Sequence, residues 1–196
     1  MMRHLLLVLL GAFLVLAQSW IAGLGHMVAH LLALVGFTLP RAWAELGGLS
    51  PSLTVPFVMF LGVSDGKTAG GAVVTFITGY LLDLAAGAPV GLFTFAHVAV
   101  FALARSFGVR VVTQTTLALG VLALFVTALH SGVVLGLLAI FGRDTWIPRT
   151  LIRFIPPRAI VSALFSPLVF AAARRVQAMV YARSSVRAPV RRSEPG

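Results

Sequence analysis

Gly79-Tyr80-Leu81-Leu82-Asp83-Leu84-Ala85-Ala86-Gly87-Ala88-Pro89-Val90-Gly91-Leu92 decides how this chain folds. An acid stands inside an apolar run that extends from Ala69 to Ala104, and one break, Gly87 to Gly91, interrupts that run. A carboxylate at the centre of a membrane helix costs about 2.5–3.5 kcal/mol, and less near a helix end. Proline and two glycines in Gly-Ala-Pro-Val-Gly do not continue a helix unbroken. The stretch therefore predicts a helix ending between Asp83 and Ala86, a tight turn, and a second helix starting near Val90. The rest of the chain is expected to pack around that hairpin.

The composition sets the surroundings of the hairpin. Of 196 residues, 59% are hydrophobic and only 10% are charged. Soluble domains run nearer to 45–50% apolar and about 25% charged. The class is an all-α integral membrane protein, because the apolar runs are continuous and lack the alternation of a barrel. Net charge is +10. The arginines sit at the ends of apolar runs, where the positive-inside rule puts them, so a nucleic-acid partner is rejected. There is no cysteine, which removes disulfides and thiol chemistry.

Outward from the hairpin, the runs predict about six transmembrane helices in one compact bundle, residues 1–176, followed by a basic, disordered tail, 177–196. Met1 to Ile21 is a first span with Trp20 at the far interface; an uncleaved helix is preferred to a signal peptide cut near Ser19. Ile21 to Leu39 is ambiguous: it extends the first helix, lies at the interface or forms a re-entrant piece. Arg41 to Pro51 is a loop. Leu53 to Val63 is a short second run containing Pro56, and Ser64 to Thr68 is a polar turn. Ala69 to Ala86 and Val90 to Ala104 are the hairpin arms. Val111 to Phe141 is one long helix with a weak point at His130-Ser131-Gly132. Gly142 to Arg158 is a loop, and Ala159 to Ala173, with Pro167 inside, is the last span. Ten basic residues, including six tail arginines, fall on one side and five on the other, which favours both termini in the cytoplasm.

Gly71, Thr75, Gly79, Asp83 and Gly87 recur every four residues, a slow spiral of small groups that lets another helix approach closely. Gly71, Thr75 and Gly79 serve either internal packing or docking of a separate membrane protein. Asp83 is either a transport or relay carboxylate or an acceptor for backbone N–H groups of the turn and the next helix, whose dipole favours an anion. A relay needs a second titratable group, and the spans offer only His97 and His130. His26 and His30 are four apart, but Met27 stands where a zinc-protease motif needs Glu. Gly62 to Thr68 falls one residue short of a phosphate-binding loop and joins two membrane runs. No carboxylate pair and no oriented nucleophile exist for hydrolytic chemistry. No catalytic residue, metal or cofactor is expected.

The hairpin resembles the signature of a known family, the bacterial rod shape-determining protein MreD: Gly, aliphatics, Asp83, a small linker with Gly87, then Pro89, Gly91 and Leu92. The last run is similar too, with Pro157, Ser-Ala-Leu, Pro167-Leu-Val-Phe and Arg174-Arg175 in like order. Pro51 to Phe60 resembles the family's second helix, with Ser52 where an acid is usual. The resemblance implies a non-enzymatic inner-membrane component of the machinery for lateral cell-wall growth. The partners it implies are an MreC-like bitopic protein, an MreB-like actin filament, a peptidoglycan polymerase and transpeptidase, and membrane lipid. It also implies a fold similar to the substrate-binding subunits of energy-coupling-factor vitamin transporters. A small-molecule carrier, with a polar cavity lined by Gln114, Thr115, His97 and Asp83, is the alternative.

Overall fold

A computed structural model describes residues 2–34, 50–64, 68–107, 116–141 and 149–186. Among these, all regular structure is helical: α1 (Met2–Leu34), α2 (Thr54–Ser64), α3 (Thr68–Ala86), α4 (Leu92–Phe107), α5 (Thr116–Phe141) and α6 (Arg149–Val186). Four of them are long and apolar enough to cross a membrane, over Arg3–Leu24, Ala69–Ala86, Leu117–Phe141 and Ile155–Met179. This fits an all-α membrane protein. The other two, α2 and α4, are apolar but shorter, with 11 and 16 residues. At 11 residues α2 is about 16 Å long, half the roughly 30 Å of a bilayer's hydrocarbon core.

The shortest helix is the centre of the bundle. Every residue of α2 from Thr54 to Gly62 is buried, with Phe57, Val58, Met59 and Leu61 fully so. A helix apolar all round has no face for water and must be enclosed. Leu7 and Leu14 of α1, Val100 and Phe101 of α4, Ala123 of α5 and Phe170 of α6 enclose it. Phe60 meets Phe170 edge to face, with ring centroids 5.3 Å apart.

A helix end enclosed in this way cannot use water for its free N–H groups, so other elements supply acceptors. Gln18 Oε1 of α1 accepts from the Leu53 N–H at 3.0 Å and from the Thr54 N–H at 3.5 Å. Ser162 Oγ of α6 accepts from the Ser52 N–H at 2.8 Å. Pro56 stands in the first turn, where the N–H it lacks would have had no helical partner.

Several boundaries differ from the sequence reading. For residues 22–34 the structure takes the first of the three alternatives, extending α1 as one helix to Leu34, and residues 35–39 lie outside the described residues. The weak point at His130 to Gly132 does not break α5; Ser131 Oγ turns inward along the helix and donates to the Thr127 carbonyl at 2.9 Å. The second half of the loop assigned to Gly142–Arg158 is the start of α6. Prolines in series suggested a loop, yet Pro156 and Pro157 lie inside that helix. The helix also runs ten residues past 176, because Gln177 to Val186 contains no glycine or proline. Pro167 deprives the Ala163 carbonyl of its helical N–H, and the Ser166 hydroxyl donates to that carbonyl instead, at 2.7 Å. The loop at Arg41, the centre of the turn at Ser64–Thr68, residues 111–115, Trp146 and the final ten residues lie outside the described residues.

Replacing Gln18 with Leu keeps the volume and removes the acceptor for two enclosed N–H groups. The expected loss is about 1–3 kcal/mol of stability, read as a lower midpoint of unfolding of the purified protein in lipid or detergent. An unchanged midpoint would show that the cap contributes nothing.

Candidate functional site

The turn between α3 and α4 is closed twice by one residue. Asp83 ends α3 through its main chain: its carbonyl accepts from the Ala88 N–H at 3.1 Å, and Leu84 accepts from Gly87 at 3.4 Å. These are the two bonds of a Schellman cap, which needs a left-handed residue after the helix. Gly87 supplies it at φ 59°, and Gly91, at φ 100°, makes the second reversal. The Pro89 carbonyl takes the Leu92 N–H at 3.1 Å, and Gly91 accepts the first bond of α4 from Phe95.

The Asp83 side chain begins α4. Oδ2 accepts from the Gly91 N–H at 2.9 Å and the Thr94 N–H at 3.3 Å, and Oδ1 from the Phe93 N–H at 2.7 Å. The Thr94 hydroxyl donates to Oδ2 at 2.6 Å. The carboxylate is 1% exposed and sits at the positive end of the α4 dipole. Charge, donors and dipole together offset the cost of burying an anion. Both oxygens are occupied by the hairpin itself.

Gly79 lies one turn earlier and lets the two arms meet. A Cβ there would come within 2.6 Å of Thr94 Cα and 3.2 Å of the Phe93 carbonyl oxygen. Gly71 and Thr75, on the same stripe, are buried inside the chain. Of the two roles weighed for this stripe, burial by the chain's own helices fits internal packing. Pro157 and Pro167 both lie within α6, and neither touches the hairpin bonds. The side chain of His26 is outside the described residues, and His30 is exposed.

A second polar group lies in the interior behind the hairpin. His97 of α4 is fully buried, and His130 of α5 is 4% exposed. Their rings meet edge to face with centroids 4.9 Å apart, and Phe93 stacks over His130. His97 Nδ1 lies 2.8 Å from the Phe93 carbonyl. A carbonyl only accepts, so the proton of neutral His97 is on Nδ1 and its Nε2 holds a lone pair. His97 Nε2, His130 Nε2, Thr127 Oγ1 and Arg158 Nε are buried and have no hydrogen-bond partner among the described residues. Sequence reasoning named the two histidines but placed Arg158 in a loop. Its one signal was a basic residue directly after Pro156-Pro157 and before an apolar run.

No family model matches the chain, and no curated protein or solved structure matches it.

Asp83→Ala leaves three N–H groups of the α4 start without an acceptor. The expected cost is at least about 3 kcal/mol, with Asp83→Asn intermediate because one amide end must face a donor. Thermal unfolding in lipid nanodiscs measures both, and equal stability of Asp83→Ala and the parent would refute the capping role. Gly79→Ala is expected to lose about 1–3 kcal/mol by forcing the arms apart, checked by the same measurement.

Proposed function

We propose that this chain is a non-enzymatic scaffold of the bacterial inner membrane, similar to the MreD family, that supports lateral cell-wall synthesis and rod shape. The observation that carries the reading is the Asp83 cap. The motif on which the resemblance rests is a structural closure, with both carboxylate oxygens bound to the hairpin. A residue engaged in this way holds two helices in register, with three backbone N–H groups and a hydroxyl already on its carboxylate. The carrier alternative asked Asp83 to line a ligand cavity, and that use would compete with four bonds of the fold. Of the other three residues of that alternative, His97 is buried against His130, and Gln114 and Thr115 lie outside the described residues.

In this reading all six helices are embedded, α2 and α4 within the bundle, and both termini face the cytoplasm. Arg174 and Arg175 are exposed near the end of the apolar span Ile155–Met179. Basic residues there gain about 1 kcal/mol each beside an anionic leaflet. The partners are those of the wall-elongation assembly: a bitopic MreC-like protein, an MreB-like filament, and the polymerase and transpeptidase.

Depletion of the protein in its rod-shaped host is expected to give round cells and to stop lateral incorporation of labelled wall precursor. Asp83→Ala should reproduce the defect with reduced protein in the membrane. Depleted cells that keep rod shape and lateral growth would refute the proposal.

A further inference from the structure

The first helix runs on where its neighbours stop. Its first half lies along α3 in parallel: the His4 ring rests on Gly70, and a Cβ on Gly11 would meet Thr78. The two helices rise together from that contact, so Ala86, the end of α3, stands level with Ser19 of α1. At the same level Gln18 caps the start of α2. No described side chain of α1 beyond Gln18 is buried, yet the helix continues to Leu34. Its apolar span, Arg3–Leu24, has 22 residues, so at about 33 Å it already fills the roughly 30 Å of a bilayer's hydrocarbon. The remainder carries Met27, Leu31 and Leu34 about 15 Å further, out of the hydrocarbon and away from the bundle.

The exposed residues of α1 follow a repeat. Leu5, Leu16 and Met27 are spaced by eleven, and so are Leu9, Trp20 and Leu31; all six are more than half exposed. Phe13 and Leu24 complete the line. An 11-residue repeat makes three turns of about 3.67 residues, so a stripe with this spacing stays on one face of a nearly straight helix. That face is opposite Leu7, Leu14 and Gln18, which are buried in the bundle. Every glycine, serine and glutamine of α1 lies off it, so the stripe consists of large apolar side chains alone.

Its chemistry fits a second copy of the same chain. No Asp, Glu, Lys or Arg stands between Arg3 and Arg41, so the same face from two copies meets with no like charges opposed. Two copies in one membrane hold α1 in parallel at one height, which sets repeat against repeat. Side chains of this size at half exposure offer on the order of 100 Å² each, so the stripe presents on the order of 800 Å² per copy, about what one partner of a stable interface buries.

We propose that α1 pairs with α1 of a second copy, in parallel about a two-fold axis along the membrane normal, through the stripe that contains Leu16, Trp20, Met27 and Leu31. Beyond Leu24 water supplies a hydrophobic drive that lipid does not, and within the bilayer the stripe adds close packing. The pairing requires only that the chain be embedded in a membrane, so it stands or falls apart from the scaffold reading.

The chain has no cysteine, so single substitutions report cleanly. In proteoliposomes under mild oxidation, the full chain with Met27→Cys or Leu31→Cys is expected to form a disulfide-linked dimer, and Ala22→Cys, on the opposite face of α1, is not. Single-molecule photobleaching of the otherwise unaltered chain should show two-step spots whose share rises with the protein-to-lipid ratio. Leu31→Glu sets a charge against its own copy outside the bundle and should weaken dimerisation at least about tenfold, with the thermal midpoint of the monomer unchanged. A chain that stays monomeric at every ratio would overturn the pairing, as would equal crosslinking from Ala22→Cys or dimers indifferent to Leu31→Glu. A monomer in which Leu31→Cys resists a water-soluble maleimide would give the face to this chain's own residues 35–49 and overturn the pairing as well.

Discussion

A backbone N–H with no partner in an apolar medium costs several kcal/mol, and this bundle is arranged around places where helices end inside it. Asp83 meets the most severe of these. It finishes one helix with its carbonyl and starts the next with its carboxylate, so two helix termini share a single residue. Arms closed this tightly can cross at Gly79 with no side chain between them. The position of α4, and with it His97, follows from that crossing.

The same constraint explains the centre. Hydrophobic burial makes an enclosed α2 favourable, but burial alone would strand its first N–H groups. Gln18 and Ser162 come from α1 and α6 to accept them, and each thereby fixes its own helix against the core. Apolar packing supplies the drive, while these few polar contacts select one arrangement among many of similar apolar content.

What the sequence disclosed follows from how local each constraint is. The hairpin was legible because Asp83, Gly87, Pro89 and Gly91 act within a dozen residues, and only glycine adopts the left-handed turns readily. The helical class followed from composition. The Gln18 cap was not legible, because its partners stand 35 and 36 residues away and nothing near Gln18 announces them. Nothing in the apolar run of α2 announces that the other helices enclose it on every side. Prolines before Arg158 were read as a loop, yet a membrane helix absorbs them. Which buried polar groups share a neighbourhood depends on the packing of α4, α5 and α6, and no local pattern encodes it.

The Ser166–Pro167 pair carries a consequence for how this helix can vary. The hydroxyl replaces the amide that the imino acid lacks, so the two residues form one unit. With the imino acid gone, an ordinary amide would return and the hydroxyl would become redundant. Loss of serine alone therefore strands a carbonyl in the apolar interior, whereas loss of both restores a regular ladder. The penalties of the two changes are not additive: the first substitution along one route is harmful and along the other is tolerated. Drift at this point of α6 is thus a one-way street, with proline departing before serine.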